Sequence, residues 1–275
     1  MTARSAASRD QPRGPTTRRA RRAFVPPQHG AWAFLALPLV LGASVATWTP
    51  PLLPLAVAWV AAYPMSYAAF GLVRAKRPQR FKVPFIIWTA IVLPSAAIAL
   101  VWRPWLLWIG LAYSALLIVN LRYARRGDER ALVNDAVFVA ECAGMVAVTW
   151  AVGAGERSWN PPALDAVPAH VWILVTVCAL VLFGSTLHVK SLIRERRDPQ
   201  FARASRVVAV ASVPASMFLG IWWGWPSGAW LAVPFVALAV RSFVVPRRAL
   251  RPGAIGIIEL SCFLLVAAAA ILAAT

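Results

Sequence analysis

The sequence is poor in charge, poorer still in acids, and nearly without residues that hold metals. Charged residues make up 14% of the 275 positions, with 10 Asp and Glu together and 3 His; a soluble domain carries about 25% charged residues. Its 3 cysteines, Cys142, Cys178 and Cys262, all fall inside apolar runs. No CxxC pair and no Cys/His cluster of zinc spacing is present, which leaves three buried thiols acting as small hydrophobes. A Walker loop, a dinucleotide fingerprint, a Ser/His/Asp elbow and a metalloprotease helix are also missing.

What is present is apolar. Hydrophobic residues reach 60%, and nine apolar runs are broken by Pro, Gly or charge. They lie near 30–48, 51–73, 83–102, 104–121, 132–152, 168–187, 207–223, 227–245 and 254–273, and the weakest is 227–245, with Pro234 inside and Arg241 near its end. Most reach the ~20 residues that a bilayer core demands. The pattern predicts an all-α, multi-pass membrane protein of nine spans: a basic disordered tail over 1–23, then a single transmembrane domain over 24–275. The tail is rich in Arg, Ser and Thr, with Asp10 its one acid. Eight further apolar segments follow the first, so we read the tail as preceding an internal start rather than as a cleaved signal peptide.

Lys and Arg are unevenly placed. The tail and the loops at 74–82, 122–131, 188–206 and 241–253 hold 26 of the 28; Arg103 and Arg157 alone fall in the alternate loops. This split predicts a bacterial plasma-membrane protein with a cytoplasmic N-terminus and Thr275 outside. The net charge of +18 thus reads as loop charge resting on the anionic headgroups of the lipid bilayer. Nucleic acid is not an expected partner, because basic patches interleaved with exposed aromatics are missing. Trp48, Trp102, Trp105, Trp159, Trp222, Trp223 and Trp225 gather near the ends opposite the basic loops, as an interfacial aromatic belt would.

Polar residues inside spans are costly and therefore informative. His29, at the entry to the first span, suits either acid–base work or an anionic group, or caps a helix. Asn134 and Glu141 are seven apart and share a helix face. Glu141 lies about 14 Å into its span, where a carboxyl is protonated, paired or facing a polar cavity, or holds two helices together. Asp135, nearer the surface, suits catalysis or pairing with Arg130. Beyond the sixth run the chain reads as a helix continuing to Pro199, with Lys190, Arg194 and Arg197 at i, i+4, i+7 as one basic stripe; His188, Ser191 and Glu195 make another. Such a stripe suits phosphate or diphosphate, or lies on anionic headgroups. Glu259, two turns into the last span, calls for a cation from another span, with Arg194 or Lys190 in view.

Four stretches, PPQHGAWAFLALPLVLG (26–42), RGDERALVNDAVF (126–138), LHVKSLIRERRDPQFARAS (187–205) and AIGIIEL (254–260), resemble the YwiC-like family of bacterial membrane proteins. The resemblance covers roughly residues 24–270; it implies a membrane location and brings no reaction with it. More loosely, the chain is similar to intramembrane prenyltransferases of the UbiA type. These have nine helices, a polar cavity opening to the cytoplasm and two Asp-rich motifs that hold magnesium. The matching places here read YPMSYAAFGLVRAKRP (63–78), without a carboxylate, and HVKSLIRERRDP (188–199), with only Glu195 and Asp198. That likeness therefore implies a scaffold and no catalytic residue or magnesium site. No metal or other cofactor is expected.

The expected function is binding or processing of a phosphorylated, lipid-like amphiphile at a polar pocket on the cytoplasmic side. His188, Lys190, Arg194, Asn134 and Glu259 would line the pocket, with His29, Asp135 or Glu141 as acid–base groups. The alternatives are a small proton-coupled transporter and an accessory membrane subunit.

Overall fold

The computed structural model describes residues 24–26, 29–126, 131–155, 157–248 and 250–275, with the backbone alone for His29 and Ala124. The basic tail, Arg130 and the His29 side chain lie outside the described residues. Among these residues nine α-helices and no strand occur. They are α1 (His29–Ser44), α2 (Leu52–Arg74), α3 (Gln79–Trp102), α4 (Leu106–Arg126), α5 (Leu132–Ala154), α6 (Ala169–Val189), α7 (Pro199–Trp223), α8 (Val233–Val244) and α9 (Pro252–Ala274). A π-helical turn, Lys190–Arg194, extends α6. Short 3-10 segments, Ser227–Ala232 and Val245–Arg247, bracket α8 and merge with it into one helical stretch of 21 residues. The span with a central Pro234 is thus continuous, because that proline sits in the first turn of α8, where it removes no needed donor.

Among the described residues, eight helical stretches are long and apolar enough to cross a membrane. The exception is α1, whose 16 residues reach about 24 Å against a core of roughly 30 Å. Its apolar run continues to Trp48, but Pro50 and Pro51 follow, and a proline biases the residue before it away from helix. Instead of extending α1, the linker docks on the end of α5. There Thr49 Oγ1 donates to Val152 O at 3.3 Å, and Gly153 lets the Thr47 carbonyl approach so closely that a Cβ would lie 2.5 Å from it.

Successive helices run in opposite directions, and contacts between their ends gather the described residues of the basic loops at one end of the bundle. Contacts at that end join the start of α5 to the end of α6. Contacts at the other end join the end of α3 and the start of α4 to residues at the end of α5 and just after it. In lipid, helices gain little by leaving an apolar solvent, so packing and polar contacts decide their arrangement. The centre is α5 and α6, with 56% and 50% of their span residues buried, against 6% for each of α3 and α4. One face of α5 (Val139, Cys142, Val146) packs with α1 and α6, in an apolar cluster that extends through them to α8 and α9. Its other face (Met145, Val148, Val152) meets Leu52 and Leu55 of α2 and Trp105 at the foot of α4.

The hairpin of α2 and α3 closes on Gly71 and Phe81. A Cβ at residue 71 would lie 2.4 Å from the Phe81 ring, a gap that a ring wedged by Ala68 and Tyr67 cannot widen. Gly71→Ala should therefore lower the thermal midpoint in detergent, and adding Phe81→Leu should restore part of the loss. Additive effects of the two changes would count against this contact as the cause.

Five of the seven tryptophans expected at the non-basic end are exposed there, Trp225 at 79%. The other two have structural duties. Trp105 is 2% exposed within the core, and Trp223 Nε1 donates to Ala273 O at 2.9 Å, tying α7 to α9.

Candidate functional site

At the basic end, α6, α7, α8 and α9 bring five polar side chains together in the protein interior. Ser185 and His188 are three apart and so share one face of α6. Arg241 comes from the last turn of α8 and Glu259 from the second turn of α9. Arg241 Nη1 forms an ion pair with Glu259 Oε2. Ser185 Oγ donates to the same carboxylate oxygen at 2.6 Å and lies 3.4 Å from Arg241 Nη1. His188 Nδ1 is 3.3 Å from Ser205 Oγ of α7. Burial is nearly complete: Arg241 is 6%, Glu259 4% and His188 1% exposed. Three further buried atoms, Arg241 Nε, Glu259 Oε1 and His188 Nε2, have no hydrogen-bond partner among the described residues. Ser185, Ser212 and Arg241 line a cavity of about 10 Å³, room for about one water molecule.

A second ion pair lies closer to the ends of its helices. Lys190, at the first position of the π-helical turn, meets Asp135 in the first turn of α5. The π turn has a cause and a consequence. Glu195 N donates to Lys190 O at 2.8 Å, the widened i→i+5 bond, and the extra residue breaks the i, i+4, i+7 register. Lys190 and Ser191 are buried, while Arg194 and Arg197 are exposed. The helix also stops before Pro199: it ends at Arg194, and Asp198 then caps α7 by accepting from Gln200 N at 2.8 Å. This reversal leaves an open surface concavity formed by residues 193–199, where Arg194, Arg196 and Arg197 stand beside Glu195 and Asp198.

Glu141 belongs to a third group. It faces α4, where Asn120 Nδ2 donates to its Oε1 at 3.3 Å and the Tyr113 hydroxyl donates to its main-chain oxygen at 2.9 Å. Asn134 is half-buried in the first turn of α5. The residues singled out in the sequence thus divide between places: His188 and Glu259 share the inner cluster, Lys190 and Asp135 pair beside it, Glu141 stands with α4, and Arg194 is at the surface. Glu259 does find a cation from another span, and it is Arg241 rather than Arg194 or Lys190. Asp135 pairs with Lys190 across two helices. Among the described residues no three of His, Cys, Asp and Glu converge as a metal site.

Arg241 is the residue that sequence reasoning counted as a loop cation. Its signal was present: Val240 precedes it and Phe243-Val244-Val245 follow it, so an apolar run closes on both sides of the charge. At the opposite end, Arg103 is also buried. Burial pushes its guanidinium below the ordinary arginine value, and Nε donates to Val152 O at 3.0 Å, pinning α3 to α5.

These helices and their inward-facing ion pairs define a multi-pass α-helical membrane protein. Comparison with known proteins narrows this. The family described as YwiC-like protein matches residues 25–150. The uncharacterised protein YwiC of Bacillus subtilis is 30% identical over 250 residues, covering 89% of this chain and 96% of that protein. An uncharacterised protein of Haemophilus influenzae is 28% identical over 236 residues, covering 84% of this chain and 90% of its own length. The chain belongs to the YwiC-like family. No solved structure matches it.

Proposed function

We propose that the chain binds the phosphorylated head of a lipid-like amphiphile at the cytoplasmic face of the bacterial plasma membrane. The supporting observation is the open surface concavity at the end of α6, where three arginines, Arg194, Arg196 and Arg197, outnumber the carboxylates of Glu195 and Asp198. Arginines form planar forks that match phosphate oxygens. They would do here what magnesium does in sites built from carboxylates, so no metal is required. The orientation that puts this concavity in the cytoplasm rests on the 26 basic residues of the tail and the four loops. The apolar tail of the ligand would lie in the bilayer along the outward faces of α6 and α7. An accompanying enzymatic step would draw on Asp135, which pairs with Lys190, itself about one turn before Arg194 along the chain.

The test is lipid occupancy of the purified protein in phosphatidylcholine nanodiscs doped with phosphatidylglycerol, counted by native mass spectrometry. Each cation near an anionic surface is worth about 1 kcal/mol. Arg194→Ala with Arg197→Ala should therefore weaken binding roughly 30-fold. Unchanged occupancy in that variant defeats the proposal. The rival reading, a proton-coupled carrier, draws on Glu141, a midspan carboxyl held by Asn120 of a neighbouring helix.

A further inference from the structure

We propose that Arg241 and Glu259 form a proton-gated receptor for an anionic oxygen: when Glu259 takes up a proton, the guanidinium it releases binds one oxygen group of the phosphorylated head. The inference rests on the binding reading above and adds its regulation. It starts from an ion pair that uses only part of each partner. Arg241 reaches Glu259 through Nη1 alone, while Arg241 Nε and Glu259 Oε1 have no hydrogen-bond partner among the described residues. A guanidinium edge with an open N–H is the half of a fork that takes a phosphate oxygen. A third open atom, His188 Nε2, belongs to the same cluster, in a side chain 1% exposed. The cavity of about 10 Å³ against Arg241 and Ser185 gives a water, and with it a proton, a place beside the pair.

Charge supplies the gate. Arg241 and Glu259 cancel, as do Lys190 and Asp135, so the closed cluster offers an anion no net attraction. Protonation of Glu259 breaks the ion pair and leaves one uncompensated guanidinium in a low-dielectric site, where an anion is the natural replacement. The steps balance: one proton enters from water onto the carboxylate, one Arg–carboxylate pair is lost, and one Arg–anion pair forms.

The groups around Glu259 are few. Ser185 and His188 come from α6 and Ser205, on His188, from α7; Arg241 comes from α8, and Cys262 from α9 itself. Against this part of α9, α1 presents Phe34, and the segment Ser227–Ala232 carries no titratable residue. Arg194, the first arginine of the concavity along the chain, lies nine residues from Ser185, on the order of 13 Å.

The experiment titrates short-chain phosphatidylglycerol, whose phosphodiester keeps its charge from acid to neutral pH, against the full chain in phosphatidylcholine nanodiscs. In the unmutated protein affinity should rise as pH falls, with a limiting slope of about tenfold per pH unit for one linked proton. Glu259→Gln, which mimics the protonated acid, should bind at the acid-side affinity throughout, without slope. A second measurement needs no variant: in weak buffer at neutral pH, binding should take up about one proton per lipid. Glu259→Gln that keeps the wild-type slope, or wild-type binding without slope or proton uptake, overturns the gate while leaving the binding reading intact. No saturable binding at any pH in either protein overturns both.

Discussion

Arg241→Ala is expected to cost about 3–5 kcal/mol of stability, because it leaves Glu259 buried without its cation. Glu259 is 4% exposed, and the Ser185 hydroxyl is its other hydrogen-bond partner; one neutral donor does not offset a desolvated carboxylate. The reverse change, Glu259→Ala, strands Arg241 and should cost a comparable amount. Replacing both with leucine removes both charges together and should recover most of the loss, since an apolar pair of similar volume is often as stable as a buried ion pair. Reversible thermal or denaturant unfolding in one detergent, run as a double-mutant cycle, measures this. If the single changes are mild, below about 1 kcal/mol as for an exposed pair, the cluster is not the closed ionic site described above. The consequence reaches function, because a pair this costly to break holds α6, α8 and α9 together at the end of the molecule where the basic loops lie.

The second large effect is steric. Gly220 of α7 and Gly228 of the following 3-10 segment meet backbone to backbone. A Cβ on Gly228 would lie 1.9 Å from the Gly220 carbonyl oxygen, and one on Gly220 would lie 2.4 Å from that of Gly228. Neither obstacle is a side chain that can rotate away, so the two segments must separate. Small residues permit such contacts in membrane bundles because backbones then approach closely. Gly228→Ala should cost at least the 1–3 kcal/mol typical of overpacking, and Gly228→Leu should abolish monodisperse protein on size exclusion. Nearby Gly224, with φ 124°, also needs glycine, but for its backbone conformation, since a Cβ there meets nothing within 4 Å. Gly224→Ala should be milder, about 1–2 kcal/mol. Equal and small losses at Gly224 and Gly228 would show that the close approach is not what these residues serve.

Apolar runs and loop charge are properties of single segments, and they carried the fold. All nine expected runs became helices among the described residues, most with ends shifted by a few residues, and eight of them are long enough to cross a membrane. The largest shift came at α7, which begins at Pro199 rather than near 207, because Asp198 and Pro199 make a good helix start whatever the polarity of the turns that follow. The shortening of α1 was also legible in Pro50 and Pro51 once helix ends, rather than hydropathy, were considered. Partnerships were not legible, since they depend on which faces of distant helices meet. Glu259 and Arg241 are 18 residues apart, and the apolar residues around Arg241 mark it as buried without naming its partner. The π turn decided the matter for Lys190, since it ends the face that Lys190, Arg194 and Arg197 would have shared. A one-residue change in helical register leaves no mark on composition or periodicity. For Glu141, midspan depth was readable, and its contact with Asn120 of α4 was not.

In the proposed orientation the ion-paired cluster and the arginine concavity both lie at the cytoplasmic end of the bundle. Single cysteines placed in the basic loops at Lys76, Arg196 and Arg248, and in the alternate loops at Trp48, Trp159 and Ser227, test it with a membrane-impermeant thiol reagent on intact cells. Cys142 and Cys178 are buried and Cys262 is partly so, so the background should be low. The account predicts labelling at 48, 159 and 227, with 76, 196 and 248 labelled only after the membrane is opened. Labelling of 196 on intact cells, or of 76 and 196 from opposite sides, would contradict it.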